Sequence, residues 1–187
     1  MVEQRVQPAS GVSLCTRCGL CCSGVIFDYV PVEQDERAGL TDLGFEILED
    51  GEEAKFPQPC RMFSGSLCSI YAERPAACRK FQCKVLRRYH DGSIAEEEAF
   101  FLIEAAKSLV EKLKPQLEEG ESVASARKRW RLERQRVVEG GASAMSPDQA
   151  RFHLNMASLN IFLDKHFRAA GREVMTEQPL GGSGDPG

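Results

Sequence analysis

Eight cysteines, Cys15, Cys18, Cys21, Cys22, Cys60, Cys68, Cys78 and Cys83, lie in the first 83 positions of a 187-residue chain, and none follows. The first four are packed into LCTRCGLCCSG (14–24). Two cysteines separated by two residues can turn both sulfurs onto one metal, because a tight loop brings them together without strain. Cys15, Cys18 and Cys21 take that step twice in succession, as bacterial ferredoxins do when one loop supplies three thiolates to a four-iron cluster. The ferredoxin run then needs three spacer residues and Cys-Pro, whereas here Cys22 follows at once, ahead of Ser23 and Gly24. Structural zinc usually takes two close pairs, but seven residues separate Cys60 from Cys68 and four separate Cys78 from Cys83. A standard finger or ribbon is therefore not written here, while zinc held by scattered ligands stays open. Soft thiolates suit iron and zinc alike.

The adjacent pair Cys21–Cys22 adds a constraint. Neighbouring side chains of an extended segment point to opposite sides, so one metal rarely receives both. Either two neighbouring centres take one each, or one multinuclear centre is approached from two directions; eight thiols supply two four-ligand sites. Pro75 can open a helix over 75–89, on which Cys78 and Cys83 would occupy different faces unless the helix breaks. Thiolates around a metal also call for positive neighbours, and Arg17, Arg61, Arg74, Arg79 and Lys80 each lie within four residues of a cysteine.

The elements that must position these residues change character near residue 90. Before it the chain reads as short and irregular, with strands expected at 25–32 and 45–48 and turns at Pro57, Pro59 and Gly65. After it helices dominate. Ser93 with Glu96 reads as a capping box for a helix with Leu102, Ala105, Ala106, Leu109 and Leu113 on one face, interrupted by Pro115. A second helix is expected over 122–138, with Val123, Ala126, Trp130 and Val137, ending at Gly140 and Gly141. A third opens on Ser146, Pro147 and Gln149, carries Phe152, Met156, Leu159, Leu163 and Phe167, and stops at Gly171. The fold class expected is α+β: an irregular cysteine-rich metal-chelating domain at 11–91, a helical segment at 92–172 and a flexible tail at 173–187.

Composition bounds the setting. The formal charge of −4 argues against a surface built throughout to attract nucleic acid. The polar opening stretch MVEQRVQPAS lacks the apolar core of a secretory signal, and no apolar run reaches the roughly 18 residues needed to cross a bilayer. The expected location is the cytoplasm, with no membrane partner. Thiols are kept reduced there, which favours metal ligands over disulfides.

The runs CTRCGLCC, PCRMF and LCSIYAERPAACRKFQC resemble the bacterial CxxCxxCC cysteine-cluster proteins, described as a zinc- or iron-chelating domain, over roughly residues 13–90. All eight cysteines match, as do Gly19, Tyr71, Arg74, Pro75, Arg79 and Phe81. The resemblance implies that the eight cysteines are the chelators. Some members look like parts of flagellin lysine methylases and others carry oxidoreductase labels, so an enzyme that uses the metal directly is a third reading. The leading expectation is a protein binding iron-sulfur clusters or iron through its eight cysteines, in a redox or modification-accessory role. The alternative is a zinc-stabilised module that grips protein or RNA.

Other candidates have plainer explanations. RKRWRLERQR (127–136) holds six basic residues around Trp130, which would suit RNA phosphates; a solvated helix face is the stronger reading, and the helical half is expected to meet a protein partner. Arg74 and Arg79 are expected to pair with carboxylates or cap carbonyls, and Tyr71 to pack. His90 reads as a turn residue, and His153 and His166 as helix residues beside the apolar stripe.

Overall fold

The computed structural model describes residues 12–51, 53–65, 67–140 and 145–168. They form an α+β fold with helices α1 (Val12–Cys18), α2 (Arg37–Asp42), α3 (Ala76–Lys80), α4 (Lys84–His90), α5 (Glu96–Leu113), α6 (Val123–Gly140) and α7 (Pro147–His166). The strands are β1 (Tyr29–Val32), β2 (Leu48–Asp50), β3 (Glu53–Pro57), β4 (Phe63–Ser64) and β5 (Leu67–Cys68). Strands β1, β3 and β2, in that order, make a three-stranded antiparallel sheet in which Val30 pairs with Phe56 and Val32 with Ala54. All four side chains face inward, as period-2 alternation requires. Strands β4 and β5 form a two-stranded hairpin pairing Phe63 with Cys68. The expected tail at 173–187 and the stop at Gly171 lie outside the described residues.

One apolar core serves both halves of the chain. It runs from Leu14, Ile26 and Phe56 through Leu102 and Ala106 on α5 to Met156 and Leu159 on α7 and Phe167 at its C-terminal end. Every stripe residue expected on α7 is buried. The capping box is formed as read: Ser146 Oγ accepts the Gln149 N–H at 3.2 Å, and Gln149 Oε1 accepts the Ser146 N–H at 2.9 Å.

Three local expectations are corrected. The segment 25–28 is not strand: two of its carbonyls are taken by arginine side chains, Val25 O by Arg127 and Ile26 O by Arg168 Nε at 2.9 Å. Strand β2 begins only at Leu48. Helix α5 is capped by Ala95 with no side-chain bond, because the Ser93 N–H is occupied by Asp91 Oδ1 at 2.9 Å; three glutamates in its first turn complement the helix dipole instead.

The basic run on α6 is likewise not a uniformly solvated face. Arg127 is 2% exposed, donates to Asp28 Oδ1 and to the Val25 carbonyl, and sends Nε to Asn160 Oδ1 at 3.1 Å. Arg131 meets the other Asp28 oxygen at 2.9 Å, and Arg129 holds Glu121 at 2.7 Å. Arg127 and Arg131 join α6 to the segment that follows the cysteine run.

Candidate metal centre

Helix α1 presents Cys15 and Cys18 one turn apart. It ends at Gly19, whose N–H bonds to the Cys15 carbonyl at 3.2 Å. Gly19 has φ +67°, and a Cβ there would lie 2.7 Å from the Phe63 ring, so the position suits glycine on two counts. The turn sends the chain back so that Cys21 and Cys22 follow, and Cys22 O then accepts the Cys60 N–H at 2.8 Å. Hairpin β4–β5 brings Cys68 in opposite Phe63.

Cys78 and Cys83 do not share a helix. The chain breaks between α3 and α4, where Phe81 turns extended and packs edge-on against Phe27 with ring centroids 4.8 Å apart. Cys83 becomes the N-cap of α4, its Sγ accepting the Leu86 N–H at 3.3 Å. Burial of one apolar ring thus converts the expected continuous helix into two short ones that carry a cysteine each. The start of α4 is held in turn by the Lys84 N–H bonding to Phe167 O at 2.9 Å.

All eight cysteines are free thiols, and all eight line a single cavity of about 480 Å³. Burial pushes the Cys18 and Cys78 thiols up to about 12 and Cys22 to about 11, from an ordinary value of 9.0. Cys21 is raised well above that value, again first by burial. The like-charge repulsion that adds to burial sorts the thiols into two neighbourhoods. Cys18 and Cys21 feel Cys15 and Cys83, while Cys22 and Cys78 feel Cys60 and Cys68. The neighbourhoods touch where Cys22 meets Cys21 and Cys15.

Opposing this, N–H groups of Leu20, Met62 and Leu86 favour the thiolates of Cys18, Cys60 and Cys83. Arg74 does so for Cys15, Cys22 and Cys78, and Lys107 for Cys18. These donors do not overcome burial, so the raised thiols of Cys15, Cys18, Cys21, Cys22, Cys60, Cys78 and Cys83 stay protonated at neutral pH until a cation enters the cavity; a coordinated thiol is deprotonated outright.

Of the five cations expected near the cysteines, Arg74 meets them. Arg17 lies 3.9 Å over the Phe100 ring, Lys80 pairs with Glu33 at 2.6 Å, and Arg61 lies against Gly44. Arg79 reaches the cavity wall and pairs with Glu36 at 3.7 Å, as expected of it. Arg74 departs from expectation: its guanidinium stacks 3.9 Å over Tyr71, and its Nε is buried without a hydrogen-bond partner. Lys107, on α5, had no local signal in the sequence. His90 is the exposed last residue of α4 and borders the cavity. His153 bonds to Glu133 at 2.7 Å, and His166 stacks on Phe162.

Among the described residues, no three Cys, His, Asp or Glu side chains converge as one ion would require. The thiols surround a volume and not a point. Soft donors in sets of four, N–H groups directed at sulfur and an orphaned guanidinium N–H together fit an anionic metal–thiolate group.

Residues 14–106 match the family model CxxCxxCC, "Putative zinc- or iron-chelating domain". A search of the curated proteins and of the solved structures finds no match.

Proposed function

Starting from a chain whose residues 14–106 belong to the CxxCxxCC family of zinc- or iron-chelating domains, we propose that it binds two iron–sulfur centres, each held by four cysteines. Cys15, Cys18, Cys21 and Cys83 hold one; Cys22, Cys60, Cys68 and Cys78 hold the other. The role follows from what such centres supply when bound, which is one-electron transfer, for a redox partner or a modification enzyme.

The observation that carries the reading is that all eight thiols line one cavity without converging on one point. A tetrahedral zinc with bonds of about 2.3 Å draws its four sulfurs to within about 3.8 Å of one another. Here all eight cysteines, with apolar neighbours, line one cavity of about 480 Å³, and among the described residues no three donors meet at an ion-sized point. That spacing supports polynuclear centres over single ions, and Cys₄ ligation serves both two-iron and four-iron clusters. The division of Cys21 from Cys22 supports two centres, since consecutive side chains enter different neighbourhoods.

Anaerobic isolation or reconstitution of the full chain tests this directly. We expect a brown protein with iron and sulfide in equal amounts and absorption near ~400 nm. Colourless protein that takes up two zinc ions tightly and refuses iron and sulfide would overturn it in favour of a zinc-stabilised module.

A further inference from the structure

Arg74 stands where neither the fold nor the eight ligands accounts for it. It follows a 3-10 turn (Tyr71–Glu73) and precedes Pro75, with extended backbone at φ −58° and ψ 149°. Its guanidinium is held flat over the Tyr71 ring at 3.9 Å, and its own carbonyl is gripped by Arg79. The side chain lines the cysteine cavity, and its buried Nε has no hydrogen-bond partner. A buried guanidinium N–H left in this way costs free energy unless an anion meets it. Its charge acts on Cys15 of one set and on Cys22 and Cys78 of the other, so the thiolates that metal binding would create there supply that anion.

From this position we infer that Arg74 is a shared counter-charge, fixed by Tyr71 between the two four-cysteine sets, and that it raises the reduction potentials of both centres together. The inference rests on the iron–sulfur reading above. Adding one electron to either centre makes it more negative, and a fixed cation beside it stabilises the reduced form more than the oxidised one. Metal–thiolate bonds are kept in that step, and no proton need move. Lys107 acts on Cys18 in one set, so removing its charge serves as the comparison.

The test is a mediated redox titration of the reconstituted full chain, with dithionite as the one-electron reductant and electron paramagnetic resonance as the readout. In Arg74→Gln both midpoints fall, each by at least a tenfold change in the reduced-to-oxidised ratio at fixed potential, about 59 mV for a one-electron couple. Arg74→Lys, which keeps the charge, stays close to the wild type, and Lys107→Gln shifts one midpoint alone. Should Arg74→Gln fail to retain iron, Arg74→Lys decides: wild-type midpoints support the counter-charge, and lost clusters or equally lowered midpoints refute it. Unchanged potentials in Arg74→Gln, or a shift confined to one centre, also refute it. A wild-type chain that takes up no iron or sulfide sinks the iron–sulfur reading itself, before any variant is made.

Discussion

The carbonyl of Cys22 accepts the backbone N–H of Cys60 at 2.8 Å, so the last residue of the cysteine run is tied by its main chain to a cysteine that the sequence places far downstream. In the two-centre reading proposed above, that bond starts the second set. The next bond, from the Phe63 N–H to the Cys60 carbonyl at 3.0 Å, leads into the hairpin that delivers Cys68.

Replacing Cys21 and Cys22 one at a time separates the two centres. We expect Cys21→Ser and Cys22→Ser each to retain about half of the wild-type iron, in spectroscopically different centres, and the double variant to retain almost none. Iron and sulfide assays with electron paramagnetic resonance check this. Identical residual spectra in the two single variants would point to one shared centre.

Protons report the state of the cavity. Burial raises the thiols of Cys18 and Cys78 to about 12 and Cys22 to about 11, so in the reduced, metal-free chain they are protonated at pH 7. Ferrous ion or zinc must displace those protons, and calorimetry in buffers of different ionisation enthalpy should read a release approaching one proton per ligating thiol. Because the folded-state values are raised, their contribution to the metal-free fold is fully present below the unfolded thiol value, near 9. It is lost as pH rises toward 12. Urea midpoints of the metal-free chain should therefore fall between pH 8 and pH 11, and bound metal should reverse the trend.

Arg127 and Asp28 form a pair with 2% and 5% side-chain exposure. Arg127→Met leaves the Asp28 carboxylate buried with Arg131 alone and frees the Val25 carbonyl. The expected loss is about 3–5 kcal/mol, measured by urea unfolding. Metal retention should fall with it, because the released segment follows directly on Cys22.

Gly19 and Gly120 share a positive φ, +67° and +74°, but only Gly19 has a neighbour against its missing Cβ. Gly120→Ala should cost about 1–2 kcal/mol from backbone conformation alone. Gly19→Ala should cost more, through the Phe63 ring, and should lower iron content where Gly120→Ala does not. Equal iron content in the two variants would show that the turn after α1 is not what sets the cysteine positions.

What could be read from the sequence was local. The box at Ser146 and Gln149 and the stripe from Phe152 to Phe167 are set by contacts within one helix, and both formed as read. The eight cysteines stand out by residue type, and all eight line one cavity, while the adjacent pair left two neighbouring centres and one multinuclear centre both open. Long-range partners were hidden. Nothing around Arg127 tells that its carboxylate is Asp28, 99 positions away, so a buried arginine read as part of a solvated basic face. The break between α3 and α4 depended on Phe81 finding Phe27, a tertiary contact that overrides helix propensity. Lys107 reaches the Arg17 carbonyl and the neighbourhood of Cys18 only because α5 packs beside α1.

The four residues Cys22, Cys60, Cys68 and Cys78 all fall between Cys21 and Cys83 in the chain. In the pairing proposed above, one set would therefore be nested inside the loop that the other closes, and that outer loop ends where Cys83 caps α4, whose first amide is held by Phe167 at the end of α7. On the two-centre reading proposed above, the outer set depends on the Phe167 carbonyl and the inner set does not, so a chain truncated before Phe167 is expected to hold about half the iron of the full chain.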